Sequence, residues 1–470
     1  MAATLIEIPD ELKDLGGAIA DFVSVVRRAV DRGGDCRGPV DFSKVQDALA
    51  ESSAHIESQA NRAVLSSYDI DCETIFINGA LHRRVGRYSG DYHTMSGTVP
   101  VERSLYRPAD ERNGKTVDVV SLRSGARDGW LPRTAEAMAF LLAQGTSREA
   151  EQTARRVQRR PYSRCSFERC GHDVGNLCLS RLDEVHLALA RDVRVPKGVR
   201  SVSVAIDRAA VPMSEVDERR PDVVHRAFRM AYCGTVALHD KKGKALRTYR
   251  YGEMPHGDVW EMLSRMRADL GAVFDQKPRL PLVQLADGAE ELWRLFRIGF
   301  AEHYFPQRRG ATVGTVDFWH LVEKLGAADE MTQRHAGQHR NKRLDKWKLS
   351  LLNSPTAMKR ILRELRTSGC VDKRTTHGTP VKDAIRYIEN HSDRMDYAKW
   401  RSAGFPIGSG NVEATCKSLV GLRMKRPGSR WKPQTAQEVL QLRAHAISGR
   451  WEKAMKVVQR PKRLKIQIAA

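Results

Sequence analysis

Val202-Ser-Val-Ala-Ile206 is an apolar run that ends on a carboxylate, Asp207. Its length and its β-branched residues predict a buried strand. The same pattern returns at Leu282-Val-Gln-Leu-Ala286, which is followed by Asp287 and Gly288. We therefore expect two buried strands, each with an aspartate at its carboxyl end.

The elements around these two strands follow a defined order. Strand patterns at 202–206, 228–238 and 245–251 precede a helix (259–270), a strand (281–286), a helix (290–305), a strand (312–317) and a helix (318–325). The order β-β-β-α-β-α-β-α is that of an RNase H-like α/β fold. In that fold the first and fourth strands are neighbours, which would bring Asp207 and Asp287 together.

A third acid follows a glycine-rich turn in Phe405-Pro-Ile-Gly-Ser-Gly-Asn-Val-Glu413-Ala-Thr-Cys-Lys417. In one interpretation Glu413 is only an acid in a first helical turn, where it suits the helix dipole and pairs with Lys417 one turn later. In the other it joins Asp207 and Asp287 as a metal ligand. The matching contexts of the three acids favour the metal site.

Three carboxylates supply the hard oxygen ligands that Mg²⁺ prefers. Two Mg²⁺ ions about 4 Å apart, for which Mn²⁺ could substitute, would activate the attacking oxygen and stabilise the leaving oxygen of a phosphodiester. The net charge of +22 over 470 residues indicates a polyanionic partner. The sequence therefore predicts a metal-dependent enzyme acting on double-stranded DNA.

Basic residues are clustered, as expected for a protein that contacts DNA phosphates. Trp431 lies in the last cluster, where it could stack on an unpaired base or anchor the final helix in the core, and both interpretations remain open. We predict DNA contacts from Arg155, Arg156, Arg159, Arg160, Arg164, Lys417, Arg423, Lys425, Arg426, Arg430 and Trp431.

Asp317-Phe-Trp-His320 marks another junction between a strand and a helix. His320 could hydrogen-bond the scissile phosphate or orient a metal ligand. Alternatively, Asp317 is a surface residue that caps the helix. The position near a strand end favours the functional interpretation. Gly288, Gly408 and Gly410 are expected to let a phosphate or a backbone approach closely.

The first 200 residues change pattern twice. Helical spacing over 18–30 and 43–65 gives way to strand-like alternation between 72 and 120, and helical patterns return with a capping box at Thr146-Ser-Arg-Glu149. The later helices suit either a helix-turn-helix DNA reader or an ordinary three-helix linker. The predicted organisation is a helical region (1–66), a β-rich module (67–132), a helix-turn-helix-like DNA-binding region (133–195), a catalytic domain (196–325 and 401–455), a helical insertion (326–400) and a basic tail (456–470).

Several other classes of protein are not indicated. No apolar run is long enough to cross a bilayer. The eight scattered cysteines suggest reduced thiols in the cytoplasm, where we expect association with the nucleoid. The spacing of Cys165, Cys170, His172 and Cys178 matches no common zinc site. No nucleotide cofactor is expected, because phosphate-binding glycine motifs are absent.

The sequence resembles insertion-sequence DDE transposases of the ISKra-four family. The resemblance covers roughly residues 200–452, and its most specific parts are Gly408-Ser-Gly-Asn-Val-Glu413 and the following Arg430-Trp431. The Asp317-x-x-His320 signature is shared more widely, with Mutator-like transposases. Glycine often follows the first aspartate in this family, whereas this chain has Arg208.

The resemblance implies that Asp207, Asp287 and Glu413 form a catalytic triad on an RNase H-like domain with a helical insertion. It also implies Mg²⁺ dependence, recognition of terminal inverted repeats and transfer of a cut 3′-hydroxyl to target DNA. A homodimer or higher oligomer is expected, because transposition joins two ends. The alternatives are a decayed or domesticated transposase acting as a DNA-binding regulator, which Arg208 favours, and a repair nuclease of the same fold.

Overall fold

A computed structural model of the protein describes residues 7–35, 38, 41–158, 162–217, 219–335, 342–368, 379–461 and 463–469. It is a mixed α/β structure with two five-stranded sheets. The chain divides into two compact units, one of residues 1–174 and 458–470 and the other of residues 175–457. Within the described ranges, no helix combines the length and the apolar character needed to span a membrane.

The strands are β1 (Thr74–Ile77), β2 (Ala80–Thr94), β3 (Gly97–Pro108), β4 (Val117–Asp118), β5 (Ser201–Asp217), β6 (Arg220–His239), β7 (Ala245–Glu253), β8 (Leu282–Ala286), β9 (Thr312–Val316) and β10 (Ile466–Ile468).

The helices are α1 (Lys13–Asp35), α2 (Phe42–Ser66), α3 (Val119–Ser124), α4 (Pro132–Gln144), α5 (Ser147–Thr153), α6 (Arg164–Ser180), α7 (Leu182–Arg191), α8 (Val259–Gln276), α9 (Glu290–Gly299), α10 (Phe318–His335), α11 (Arg343–Asn353), α12 (Ala357–Arg366), α13 (Pro380–His391), α14 (Tyr397–Ser402), α15 (Gly410–Thr415), α16 (Leu422–Met424), α17 (Pro433–Ile447) and α18 (Trp451–Val458). π-Helical turns at Ala154–Gln158 and Cys416–Gly421 continue α5 and α15.

The first unit contains an antiparallel sheet in the order β10-β1-β2-β3-β4. Tyr92 of β2 and Tyr106 of β3 are fully buried. Its outer strand β10 comes from the segment predicted as a basic tail, where Ile468 pairs with Ile75. Three residues of alternation that follow a run of lysines and arginines are too short a pattern to predict a strand.

The capping box predicted at Thr146 is confirmed. The Thr146 hydroxyl accepts a hydrogen bond from the amide of Glu149 at 3.2 Å, and the Glu149 carboxylate accepts one from the amide of Thr146 at 2.8 Å. Helix α4 ends at Gln144, α5 begins at Ser147 directly after the capping residue, and α6 extends over 17 residues. Whether they act as a helix-turn-helix or as a linker stays open.

The second unit is built on a mixed sheet in the order β7-β6-β5-β8-β9. Strands β5, β6 and β7 pair antiparallel, whereas β8 runs parallel to β5 and to β9. The first and fourth strands of this unit are thus neighbours. A continuous apolar core that includes Ile206, Met266 and Phe296 joins the sheet to its helices.

Strands β5 and β6 are much longer than predicted. They contain 17 and 20 residues, and their pairing continues beyond Asp207 as a two-stranded hairpin. Met213 on one face of this hairpin is buried, whereas Phe228 on the other face is 64% exposed. The two prolines, Pro212 and Pro221, and the many charges of this stretch hid the alternation.

The predicted insertion is largely helical in its described parts (326–335, 342–368 and 379–400). Helices α10 to α13 pack together through Ile361, Val381 and Ile388, which are fully buried. The insertion thereby belongs to the same core as β8 and β9.

Candidate active site

Asp207 and Asp287 follow two strands that lie side by side. The last register pair of β5 and β8 is Ala205 with Leu285, and each aspartate lies two residues further along. Adjacent strands are spaced about 4.8 Å apart, so the two residues occupy neighbouring strand ends. Both side chains are half-buried. The predicted proximity of the two strands is therefore observed.

The carboxylate of Asp207 is held on two sides. One oxygen accepts a hydrogen bond from the amide of Arg208 at 2.7 Å, and the other lies 3.6 Å from the thiol of Cys416. A hydrogen bond with Cys233, burial and the charge of Asp207 raise the pKa of the Cys416 thiol well above its usual value. This thiol therefore stays protonated and can donate to Asp207.

Glu413 lies on α15, three residues before the Cys416 thiol that contacts Asp207. Helix α15 packs against β5 and β6. The Glu413 carboxylate is exposed and lies 2.6 Å from the amine of Lys417, an ion pair that raises the pKa of Lys417. Among the residues that the structure describes, no three acidic, histidine or cysteine side chains are grouped closely enough to hold a metal. In the described residues the three predicted ligands therefore do not form a preformed cluster.

Asp317 is buried, at 3% exposure, and not on the surface. Its Oδ1 accepts hydrogen bonds from the amides of Trp319 at 2.5 Å and His320 at 3.2 Å, which caps α10. Its Oδ2 accepts from the Ser409 amide at 2.5 Å and from the Ser409 hydroxyl. Asp317 thus ties the β9–α10 junction to the turn that precedes Glu413.

The His320 side chain lies at the surface beside Glu323. Its side chain is 47% exposed, and its Nδ1 lies 3.6 Å from the Glu323 carboxylate. The predicted contact with a scissile phosphate or a metal ligand stays a prediction.

The three glycines have different surroundings. A side chain at Gly288 would collide with the ring of Tyr387 and would come within 2.7 Å of Nε2 of His391. At Gly408 it would lie 3.2 Å from the Trp319 ring, and at Gly410 it would meet nothing within 4 Å. The group that approaches Gly288 is therefore the helical insertion, where the sequence had suggested a phosphate or a backbone.

Tyr387 and His391 are the residues that the sequence did not indicate. They lie one helical turn apart on α13, with ring centroids separated by 4.9 Å. Burial and the charge of Arg394 lower the pKa of His391. A tyrosine and a histidine four residues apart are common on helices, and nothing local connects them to Asp287 about a hundred residues earlier.

Arg208 does not extend over the Asp207 carboxylate. Its guanidinium lies 2.6 Å from the carboxylate of Glu291 on α9, and Glu291 also accepts a hydrogen bond from the Tyr232 hydroxyl. The large Arg208 side chain is therefore held by a partner from α9.

The basic segment after Glu413 divides into buried and exposed residues. Trp431 is only 9% exposed, its indole donates to the Met424 carbonyl at 3.1 Å, and Arg423 covers its ring at 4.8 Å. Its backbone pairs with Pro212 and Ser214 of β5. Trp431 is thus placed as an anchor, and its buried ring is not presented for base stacking. Arg423 is also buried, Arg426 is half-buried, and Lys417, Lys425 and Arg430 are exposed.

In the first unit, Arg155, Arg156 and Arg164 are exposed. Arg155 pairs with Glu151 at 2.9 Å, and Arg164 lies 3.5 Å from Glu168. Arg159 and Arg160 lie outside the described residues. The accessible arginines remain candidates for phosphate contacts.

No family model matches the chain, and no curated protein matches it. Among solved structures, the chain is similar to the Drosophila P element transposase strand transfer complex, with 13% identity and a TM-score of 0.27. The match covers 70% of this chain and 81% of that chain. A likeness at this score does not establish a shared fold.

Proposed function

We propose that the protein is a DNA transposase with an RNase H-like domain that cuts and joins DNA strands with divalent cations held by Asp207, Asp287 and Glu413. The register of β5 and β8 carries the proposal, because it puts two aspartates at neighbouring strand ends. The strand order, with three antiparallel strands followed by two parallel ones, is the order expected for an RNase H-like sheet and supports it.

The donor atoms of this site fit Mg²⁺ or Mn²⁺, since all three side chains offer carboxylate oxygens. Two bound cations would supply activation of the attacking oxygen and charge relief at the leaving oxygen. Asp207 is oriented by the Arg208 amide and the Cys416 thiol, and Asp287 accepts a hydrogen bond from the Ala289 amide at 2.8 Å. Glu413 would exchange its ion pair with Lys417 for a cation.

The remaining parts of the proposal are the DNA contacts, the strand transfer and the oligomeric state. Exposed Lys425, Arg430 and Lys432 follow the Glu413 helix in sequence and would neutralise DNA phosphates near the cut. The arginines of the first unit would contact the terminal repeats. Cleavage leaves a 3′-hydroxyl that attacks a target phosphodiester, and a homodimer or higher oligomer would hold two ends together.

A strand-cleavage and joining assay tests this function. Labelled duplexes with the sequences that flank the gene are incubated with Mg²⁺ or EDTA and with wild type, Asp207→Asn or Glu413→Gln. We expect Mg²⁺-dependent nicking and joining by the wild type and loss of both in the variants, while DNA binding persists. Asp345→Asn, on an exposed aspartate of α11, is the control. Nicking by Asp207→Asn would contradict the assignment.

One observation favours a second candidate, a DNA-binding regulator derived from a transposase. The carboxylate of Glu413, one of the three candidate ligands, is engaged by the Lys417 amine at 2.6 Å. Tight DNA binding without nicking in Mg²⁺ or Mn²⁺ would support this function, and Arg208→Gly would then be the first substitution to test for restored cleavage.

A further inference from the structure

The helical insertion reaches the loop that carries Asp287. Helix α13 ends at His391, and its last two turns pack Tyr387 and His391 against Gly288. The approach is so close that a single methyl group at position 288 would displace them. The insertion is therefore in direct contact with the residue that follows the second candidate ligand.

His391 is an unusual group to bury at such a place. It is only 8% exposed, and its Nδ1 has no hydrogen-bond partner among the described residues. A buried polar atom without a partner costs free energy, so its retention in a core position calls for an explanation. Leucine would fill the same space at lower cost.

The Asp287 turn is also held by two hydrogen bonds to residues that follow it in the chain. The Asp287 carboxylate accepts the Ala289 amide at 2.8 Å, and its backbone carbonyl accepts the indole N–H of Trp293 at 2.9 Å. Arg394, three residues beyond His391, covers the Trp293 ring at 4.3 Å. The insertion thus contacts this turn through Tyr387 and His391 and contacts α9 through Arg394.

Neighbouring groups that hydrogen-bond a metal-binding carboxylate or its water tune the affinity of a site. His320, chosen from the sequence for that role, points to Glu323 at the surface. We propose that His391, with Tyr387 packed beside it, is a positioning residue that holds the Asp287 turn ready for a divalent cation. This inference rests on the proposed function, because it takes Asp287 to be a ligand.

The decisive variant is His391→Leu, which keeps the buried volume and removes the polar atoms. His391→Gln restores hydrogen-bonding capacity without the ring, and His303→Leu, on an exposed histidine of the same unit, is the matched control. Mn²⁺ affinity is measured by titration calorimetry on the full chain without DNA. Thermal melting and DNA binding in EDTA are measured in parallel.

We expect His391→Leu to weaken Mn²⁺ binding about tenfold while its melting temperature stays equal or rises. His391→Gln should recover much of the affinity, and DNA binding in EDTA should remain within twofold of wild type. Unchanged Mn²⁺ affinity in a folded His391→Leu chain would overturn the inference, because the imidazole would then only fill space.

Failure of the two proposals can be told apart. A wild-type chain that binds Mn²⁺ and nicks DNA, with a His391→Leu variant that binds Mn²⁺ equally well, removes only the role of His391. A wild-type chain that binds no Mn²⁺ and nicks nothing overturns both.

Discussion

The carboxylate of Asp317 accepts hydrogen bonds from the amide and the hydroxyl of Ser409, 92 positions later in the chain. The same carboxylate caps α10 through the amides of Trp319 and His320. One buried side chain thereby connects the end of the sheet with the turn that begins the Glu413 helix. The position of Glu413 relative to the two aspartates depends on this connection.

We expect Asp317→Asn to destabilise the fold and to reduce nicking. In the variant an amide nitrogen replaces Oδ2, and a nitrogen of this kind cannot accept the two hydrogen bonds from Ser409. A buried donor of Ser409 therefore loses its partner, at a cost of about 1–3 kcal/mol of unfolding free energy. Urea unfolding measures the change. Asp345→Asn, at an exposed carboxylate 3.5 Å from the Lys348 amine, should leave the unfolding midpoint unchanged. Equal midpoints for both variants would show that the Asp317 connection is dispensable.

The glycines at 288 and 410 should respond differently to alanine. Gly288→Ala introduces a methyl group against Tyr387 and His391 and should lower stability by about 1–3 kcal/mol. Gly410→Ala meets no atom within 4 Å at the start of α15 and should be neutral or slightly stabilising. Thermal melting of the two variants separates the cases, and a tolerated Gly288→Ala would mean that α13 packs elsewhere in solution.

Trp431 and Arg430 are adjacent, yet their substitution should affect different properties. Trp431→Ala empties a buried site and should cost about 3–5 kcal/mol of unfolding free energy. Arg430→Ala should leave stability unchanged. It should reduce the slope of log K for DNA binding against log salt concentration by about one, the contribution of one phosphate contact. The measurements are chemical unfolding and DNA titrations at several salt concentrations. A stable Trp431→Ala chain that loses DNA binding would revive the base-stacking interpretation.

Acid should weaken the second unit through His239. This imidazole is 1% exposed, with its nitrogens 2.7 Å from the Ser203 hydroxyl and 2.9 Å from the Gly243 carbonyl, and burial lowers its pKa from 6.5 to about 4. Between those values the unfolded chain binds more protons than the folded one, so stability is full above pH 6.5 and falls until about pH 4.

The loss attributable to His239 is about 3 kcal/mol across this window. Unfolding measured from pH 7.5 to pH 4 should therefore show a flatter curve for His239→Gln than for wild type. His303→Gln, at an exposed histidine, serves as the control. Parallel curves for His239→Gln and wild type would mean that the imidazole is accessible to protons in the folded state.

Local sequence patterns predicted the positions of most strands and helices of the second unit. The run before Asp287 was predicted as a strand over 281–286 and is a strand at Leu282–Ala286, because a short apolar run bounded by turn residues has few alternatives. The hairpin beyond Asp207 was missed, since its prolines and charges interrupt the alternation over which its pairing continues. The role of Trp431 stayed open because a tryptophan among arginines has the same local pattern whether its ring is buried or exposed.

What the sequence determined by itself was therefore local: which residues form the acid-tipped strands, where the glycine turns fall, and that the chain is strongly basic. Only the tertiary structure decided which of these groups meet. In the tertiary structure, Ala205 is in register with Leu285, and Asp317 accepts hydrogen bonds from Ser409. Glu413 pairs with Lys417, and His391 packs against Gly288. All but the Glu413–Lys417 pair join residues far apart in the chain. They are set by how whole elements pack, which no periodicity within one element encodes.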